Sequence, residues 1–598
     1  MKRAFDWLDH RTGWRGWLDE ILFENIPGGA SWRHAWGGAI IFGLVVEFIT
    51  GFFLWLGYSP SSLTAWESVY YIQDHWVGGW LLRGVHHFMS DALVILLGLH
   101  WMQLVIQGAY RAPREINYWV MFGFLLFVIG AATTGYELAW DQHGYWGSKV
   151  RLGYVGLTPV IGPGLQKLAM GGPELGSYTL TRFFAAHAGL FPLGILALLV
   201  IHAAVTRRHG RFAPPTRVEA TVHYWPDQAL RDGIGCLAVL VTVIITVVWH
   251  RSAGQGMSPG AYLGAPADPF DRYDAARPEW YFRWLFQLIK YFPGSLEVWG
   301  AVFIPGLVLA VIFLMPFAGH WKLGRRFNVA WMCGLALSAI VLTVISLRED
   351  QTNSDYRAAV SAALRDAQRA RVLASAPNGI PVSGAVTLMR TDPFTEGPKI
   401  FAQKCANCHR YDGHDGTGKI PRGLQSASDL KGFGSREWLT GLLSPDRVAS
   451  TNYFGGTKHR TGKMVKYVTT DVAHFTPAER AKLEKVIAAI SAEAQLKTQA
   501  GADQRDAPMI AQGRALLQNG MRCTECHQFH KPDEDATAPD LTGYGSRDWL
   551  ARFLSNPADP AFYGDHNDRM PAFGSDHVLD AQDIGLLADW LRGDWYEP

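Results

Sequence analysis

Two runs of the form Cys-x-x-Cys-His, Cys405-Ala-Asn-Cys408-His409 and Cys523-Thr-Glu-Cys526-His527, contain the four cysteines that lie outside apolar stretches. This spacing lets both thiols bond to the vinyl groups of a haem while the following histidine ligates its iron. A redox dithiol or a shared zinc site would leave the adjacent histidine, present in both runs, without a role. A sixth ligand must come from further along, and thioether sulfur raises the potential of such a haem. In the second repeat Met570, in Met570-Pro-Ala-Phe573 on a polar turn, is the expected ligand; in the first it is Met464, with His459 and His474 as alternatives.

Two further pairs of histidines lie inside apolar runs, His86 and His100 in one, His187 and His202 in another. Ionisable groups inside a membrane are costly and point to function. At 100° per residue, 14 positions fall about 40° short of four turns and 15 pass four turns by about 60°, so each helix presents two imidazoles on one face. Their vertical separations are about 21 and 22 Å. Two such helices running in the same direction pair His86 with His187 near the outer face and His100 with His202 near the inner. Paired imidazoles stacked this way suit two non-covalent haems passing an electron across the bilayer; zinc or copper asks for more ligands per site. His87, 13 positions from His100, lies about 140° off that face and reads as a non-ligand. Gly37 and Gly51 repeat the 14-residue spacing, either to let a flat macrocycle approach the backbone or to pack helices.

The elements that must position these groups follow from hydropathy. The chain has 598 residues, 48% hydrophobic and 18% charged, and seven apolar runs long enough to span a bilayer, about residues 36–57, 80–106, 118–138, 183–204, 234–250, 298–317 and 329–347. A net charge of +2 gives no basic field for nucleic acid, and six cysteines are not a disulfide scaffold. Residues 1–33, with Trp7, Trp14 and Trp17 among charges, read as an interfacial amphipathic segment rather than a cleaved signal. With the N-terminus cytoplasmic, the inside segments collect fifteen Lys and Arg, Arg211 and Arg217 among them, whereas the first outside loop has none. Seven spans then put everything after residue 348 outside, where covalent haem is assembled in bacteria; the expected location is the bacterial inner membrane. Residues 349–398 read as a stalk and linker. Beyond them Asp429-Leu-Lys-Gly-Phe-Gly-Ser-Arg-Glu-Trp-Leu439 recurs as Asp540-Leu-Thr-Gly-Tyr-Gly-Ser-Arg-Asp-Trp-Leu550, so 399–500 and 501–598 form a duplicated small domain.

These residues resemble the cytochrome b subunit of quinol:cytochrome c or plastocyanin oxidoreductases, the bc and bf complexes, over about residues 20 to 345. The motifs are Arg83-Gly-Val-His86 with His100, Trp140-Asp-Gln-His-Gly-Tyr-Trp146, Thr181-Arg-Phe-Phe-Ala-Ala-His187 with His202, and Pro278-Glu-Trp-Tyr281. The 15-residue spacing, the seven spans and Gly264-Ala-Pro-Ala-Asp-Pro-Phe270 look most like the bf type with its two short subunits fused. The resemblance implies an all-α fold, a seven-helix transmembrane bundle with a four-helix di-haem b domain at 34–220 and a three-helix quinol-site domain at 221–348, followed here by two tandem small helical cytochrome c domains. It implies that Pro278, Glu279, Trp280 and Tyr281 line an outer quinol-oxidation pocket, Glu279 accepting a proton. A carboxylate among aromatics at a membrane interface agrees with that role. Arg83 and Arg182 are candidates to pair with the outer haem's propionates. Three departures stand out. Ala35-Trp36-Gly37-Gly38 lacks the cysteine that holds an extra inner haem in the bf type, Ala139 replaces the usual proline before Trp140-Asp-Gln, and the two-haem tail is not part of the ordinary subunit.

The expectation from the resemblance is bifurcated quinol oxidation coupled to proton translocation, with two b haems, two c haems and an inner quinone site. The non-membrane cysteines are taken by haem, so a Rieske iron–sulfur protein must be a separate chain. Further partners are membrane quinol, a soluble c-type cytochrome or terminal oxidase, other subunits and a second copy in a dimer. A rival reading is a non-catalytic haem conduit anchoring a partner dehydrogenase, disfavoured by Pro278–Tyr281. A sensor module fits so many redox cofactors poorly.

Overall fold

The computed structural model describes residues 2–210, 212, 221–252, 260–533 and 536–598; Arg211 and Arg217 of the charge count lie outside them. Two units emerge, Met1–Val386 and Thr387–Pro598.

Among the described residues seven helices are long and apolar enough to cross a bilayer, one for each apolar run. In the first unit, α1 (Lys2–Thr12) and α2 (Trp14–Leu22) carry exposed Trp7 and Trp17. The first three spans are α3 (Ala35–Gly57), α5 (Gly79–Gln107) and α6 (Glu115–Glu137), with the short helix α4 (Ala65–His75) after α3. Outside α6 follow α7 (Gln142–Gly156) and α8 (Gly162–Met170). The fourth span is α9 (Ser177–Ala185) continuing through a π-turn at Ala186–Leu190 into α10 (Phe191–His209). Then come α11 (Ala229–Ser252), the short amphipathic helix α12 (Arg283–Lys290), α13 (Ile304–Ala318) and α14 (Gly324–Thr352).

These helices are apolar nearly all round, as a segment surrounded by lipid or protein must be. α3 packs on α5, α5 on α6, and α6 on α10, around a core that includes Leu97, Val105, Tyr118 and Phe124. Between spans in lipid such contacts are held by close packing and interhelical hydrogen bonds rather than by release of water. Tyr118 is buried because its hydroxyl has a partner, the carbonyl of Ile312 at 2.8 Å. A two-strand antiparallel pair, β1 (Asn25–Pro27) with β2 (Thr221–His223), sits beside Gln228, which accepts from the Ser31 N–H at 2.8 Å.

The stalk departs from expectation. Residues Ser354–Ala374 form α15, which returns to its own unit: Arg371 pairs with Asp74 of α4, the Tyr70 and Ser375 hydroxyls lie 2.7 Å apart, and Ala370 is fully buried. Asn353 caps α15 by accepting from the Tyr356 N–H at 3.0 Å. A free linker would leave this small-residue stripe wet.

The second unit begins at the short helix α16 (Val386–Arg390) and α17 (Pro393–Lys404), and includes α18 (Arg436–Leu442), α19 (Lys463–Thr470), α20 (Pro477–Glu493), α21 (Ala500–Arg505), α22 (Ala507–Asn519), α23 (Arg547–Ser555) and α24 (Ala581–Arg592). The duplicated segments are alike in detail. Ser435 and Ser546 cap α18 and α23, and the indole N–H of Trp438 and of Trp549 donates to Asp429 and Asp540 carbonyls at 3.1 and 3.0 Å. The repeats run in tandem along the sequence but do not close separately. α17, from the first, packs on α24 from the second, and α20 packs on α22.

Candidate functional site

Helices α5 and α10 both lean on α6, and a cavity of 690 Å³ opens between them. Its lining includes His86, His187, Arg83, Gly51, Gly135 and Glu47. The His86 and His187 rings stand 6.0 Å apart, centroid to centroid, at 79°. Each ring's Nδ1 is held: His187 donates to the Ala131 carbonyl at 2.8 Å, and His86 faces the Glu47 carboxylate at 2.7 Å and the Thr50 hydroxyl at 2.9 Å. With Nδ1 occupied on both, Nε2 is the nitrogen left for a metal, the tautomer that ligating imidazoles adopt.

The space for a flat group is made by glycine. A Cβ on Gly51 would meet His86 Cε1 at 3.1 Å, and one on Gly135 would meet His187 Cε1 at 2.7 Å. Gly51 was expected; Gly135, on the opposite wall, was not. A Cβ on Gly37 would meet nothing within 4 Å. His87 lines the same cavity but turns its ring edge to Tyr136, 5.2 Å away.

The π-turn explains the unequal histidine spacings. A π-turn takes one residue more per turn than an α-helix, so the 15 positions from His187 to His202 cover the rotation that 14 cover from His86 to His100. The inner pair is less elaborated: His100 Nδ1 is 3.3 Å from Gln103 Oε1, and His202 Nδ1 is buried without a hydrogen-bond partner beside Phe124.

Arg83 reaches the cavity, donating to Gln73 and to the carbonyls of Ala261 and Tyr262 at 3.0 and 2.9 Å. Arg182 does not: it is exposed and donates to the Tyr178 carbonyl of its own helix. Five helical positions before His187, it points about 140° away from that ligand.

Pro278–Tyr281 are set by the residues flanking them. Arg277 and Arg283 both bind Asp350 at the end of α14, at 2.8 and 2.6 Å. This fork holds the segment over the helix ends. Glu279, 6% exposed, pairs through one oxygen with Arg151 of α7 at 2.5 Å, while its other oxygen is buried with no hydrogen-bond partner among the described residues. Trp280 donates its indole N–H to Asp91 of α5 at 3.0 Å, and burial pushes the Tyr281 phenol up, with its hydroxyl unpartnered. Glu137 is fully buried, has no hydrogen-bond partner and lies within electrostatic reach of Arg151 and Glu279. The Trp140-Asp-Gln motif is clamped to the Gly264-Ala-Pro-Ala stretch, Asp141 accepting from the N–H groups of Gly144 and Gly264, both at 2.8 Å. Sequence reasoning missed Glu47, Asp91 and Glu137, each an acid within or at the end of an apolar span, which was the available signal.

In the second unit His409 donates Nδ1–H to the Ser428 carbonyl at 2.8 Å and His527 to the Pro539 carbonyl at 2.7 Å, again leaving Nε2 free. Burial lowers both imidazoles, keeping them neutral as a metal requires. Burial pushes the Cys405 thiol up to about 12 and Cys523 to about 11; a redox dithiol needs the opposite. Of the alternative ligands in the first repeat, His459 stacks on Tyr563 at 5.6 Å and His474 bonds the Thr470 carbonyl of its own turn.

Residues 91–257 match the family described as cytochrome b(N-terminal)/b6/petB, residues 266–364 that described as cytochrome b(C-terminal)/b6/petD, and residues 394–489 cytochrome c. A menaquinol:cytochrome c reductase cytochrome b subunit of Geobacillus thermodenitrificans is 35% identical to this chain over 36% of its length and 99% of the relative's. This chain belongs to the cytochrome b family. Cytochrome b of Rhodobacter capsulatus is 30% identical over 51% of this chain and 71% of its own, and cytochrome b6 of Synechococcus sp. (strain JA-3-3Ab) 34% identical over 36% and 100%. The cytochrome b and cytochrome c matches imply b-type and c-type haem. The residues present fit both: the glycine-walled imidazoles of His86 and His187 with Nδ1 engaged among the spans, and buried Cys405 and half-buried Cys523, each heading a run that ends in a neutral imidazole, in the second unit.

Proposed function

We propose that this cytochrome b chain is the quinol-oxidising subunit of a cytochrome bc-type complex in a bacterial inner membrane, with its haem-carrying tail outside. Two b haems, held by His86 with His187 and by His100 with His202, and two c haems on Cys405–Cys408 and Cys523–Cys526, would supply one-electron carriage across the bilayer and on to a soluble cytochrome or terminal oxidase. The observation that carries this reading is the pair of glycine-backed imidazoles, His86 and His187, 6.0 Å apart with Nδ1 fixed on each.

The chain's own groups do the remaining work. Asp350 fixes Arg277 and Arg283, and so presents Pro278, Glu279, Trp280 and Tyr281 as the wall of an outer quinol pocket. The unpartnered oxygen of Glu279 accepts a proton from bound quinol, and Arg151 steadies the carboxylate through its other oxygen. Arg83, buried at the cavity edge, offers its positive charge to a haem propionate. Oxidation is bifurcated: one electron goes to a separate Rieske-type iron–sulfur partner, the other across the membrane to an inner quinone site, with protons released outside. A dimer and further subunits complete the complex.

A redox titration of the purified complex with pyridine-haemochrome analysis and iron–sulfur EPR tests the reading. The expected result is two b haems and two c haems per chain, a Rieske signal from a partner, and b-haem reduction on adding quinol. Absence of b haem, or b haem that quinol leaves oxidised, would overturn it.

A further inference from the structure

Each half of the tail contains one haem-attachment run and one candidate methionine, but the structure does not group them by half. The apolar cluster that contains Cys405 also holds Phe401, Phe573, Leu587, Trp590 and, at its edge, Met570. The cluster around Phe529, Leu541, Val465 and Ile487 holds Cys523 and Met464. The helix packing agrees. Tyr411, two residues past His409, lies 4.3 Å from the Trp590 ring of α24, and a Cβ on Gly397 of α17 would overlap that same Trp590. On the other side Lys485 of α20 donates to Gln512 of α22 at 2.7 Å, and Gly513 fits beneath Lys485.

The chain changes partners at the duplicated glycines. Gly434 and Gly545 have φ of +79° and +77° and face each other, so that a Cβ on either would lie within 4 Å of the other's Cα. A side chain at either position would be strained by its backbone and would separate the strands of chain that cross there. Phe433 and Tyr544, one residue earlier in each repeat, pack at 5.2 Å. Beyond the crossing, Arg592 secures it by donating to the Gly545 carbonyl at 2.7 Å and to the Ala494 carbonyl at 2.5 Å.

We propose that each covalent haem site is built from both repeats, with His409 and Met570 as axial ligands of the first and His527 and Met464 as axial ligands of the second. A thioether can ligate only an iron it reaches, and each methionine shares its apolar cluster with the attachment thiol of the other repeat. The Met570 loop is fixed by Asn567, whose amide donates to the Met570 carbonyl at 2.9 Å, and is tied to the Met464 side by Lys458, whose backbone N–H donates to Asp568 at 3.1 Å. The proposal rests on the reading of both Cys-x-x-Cys-His runs as covalent haem sites.

The test uses the full chain. Cys523→Ala with Cys526→Ala leaves a single covalent haem, on Cys405 and Cys408. In that background Met570→His is expected to abolish the near-infrared charge-transfer band of thioether-ligated ferric haem, and Met464→His to leave it. The reverse pattern overturns the proposal. Absence of covalent haem from both runs of the unmutated chain would instead overturn the attachment reading beneath it. A second measurement keeps all four haem cysteines: Lys485→Cys with Gln512→Cys is bridged by a short bismaleimide, then cut at a protease site placed within residues 499–506. Fragments that stay joined in denaturant are expected; complete separation despite labelling of both thiols overturns the crossed arrangement.

Discussion

The Glu47 carboxylate lies 2.7 Å from Nδ1 of His86 and is the sole ionisable side chain of α3. A negative acceptor on the far nitrogen pushes electron density onto the ligating one and favours the oxidised iron. Glu47→Gln is therefore expected to raise the midpoint potential of the outer b haem while the inner one stays put, with b-haem content unchanged. Potentiometric titration at the b-haem absorption bands checks this; an unmoved potential would mean the carboxylate merely orients the ring.

Gly135→Val should remove the outer b haem. Its side chain would start 2.7 Å from His187 Cε1, and neither backbone nor ligand can yield without breaking the bond from His187 to the Ala131 carbonyl. Pyridine-haemochrome analysis is expected to read half the b haem and all of the c haem.

Glu279→Gln keeps the shape of the segment and removes its proton acceptor. Quinol-dependent cytochrome c reduction should fall about 10²-fold, the scale of one general base, with haem spectra unaltered. Turnover at the unmutated level would take Glu279 out of the proton path.

Asp350→Asn weakens the fork that holds Arg277 and Arg283. Charge-assisted hydrogen bonds contribute about 1.5–3 kcal/mol each, so partial loss of two should slow quinol turnover about tenfold, and Asp350→Glu should recover part of it. Haem content and potentials should not change, which separates this effect from misfolding.

The seven spans and the approach of His86 to His187 were legible because each follows from a local pattern, hydropathy over about 20 residues or a helical spacing. The match between 14- and 15-residue histidine spacings was legible only as an approximation. Nothing in Ala186–Leu190 announces a π-turn, which forms where packing around His187 rewards it. Arg182 was misplaced for the same reason a motif misleads: adjacency in sequence to His187 says nothing about which face it takes. Glu47 could have been read as an acid in an otherwise uncharged span. The crossed packing of α17 on α24 was illegible in principle, since the two repeats are similar enough that either partner satisfies the same apolar pattern, and the choice depends on how the chain turns at Gly434 and Gly545.

Because α17 packs on α24, a helix near the start of the second unit cannot settle until residues 581–592 are in place. Such long-range closure is slow, and until it happens the Cys405-x-x-Cys408-His409 run stays on an open chain, whereas the cluster around Cys523 is closed by α20 and α22 without α24. A chain cut before α24 would leave the Cys405 site open while the Cys523 site could still close.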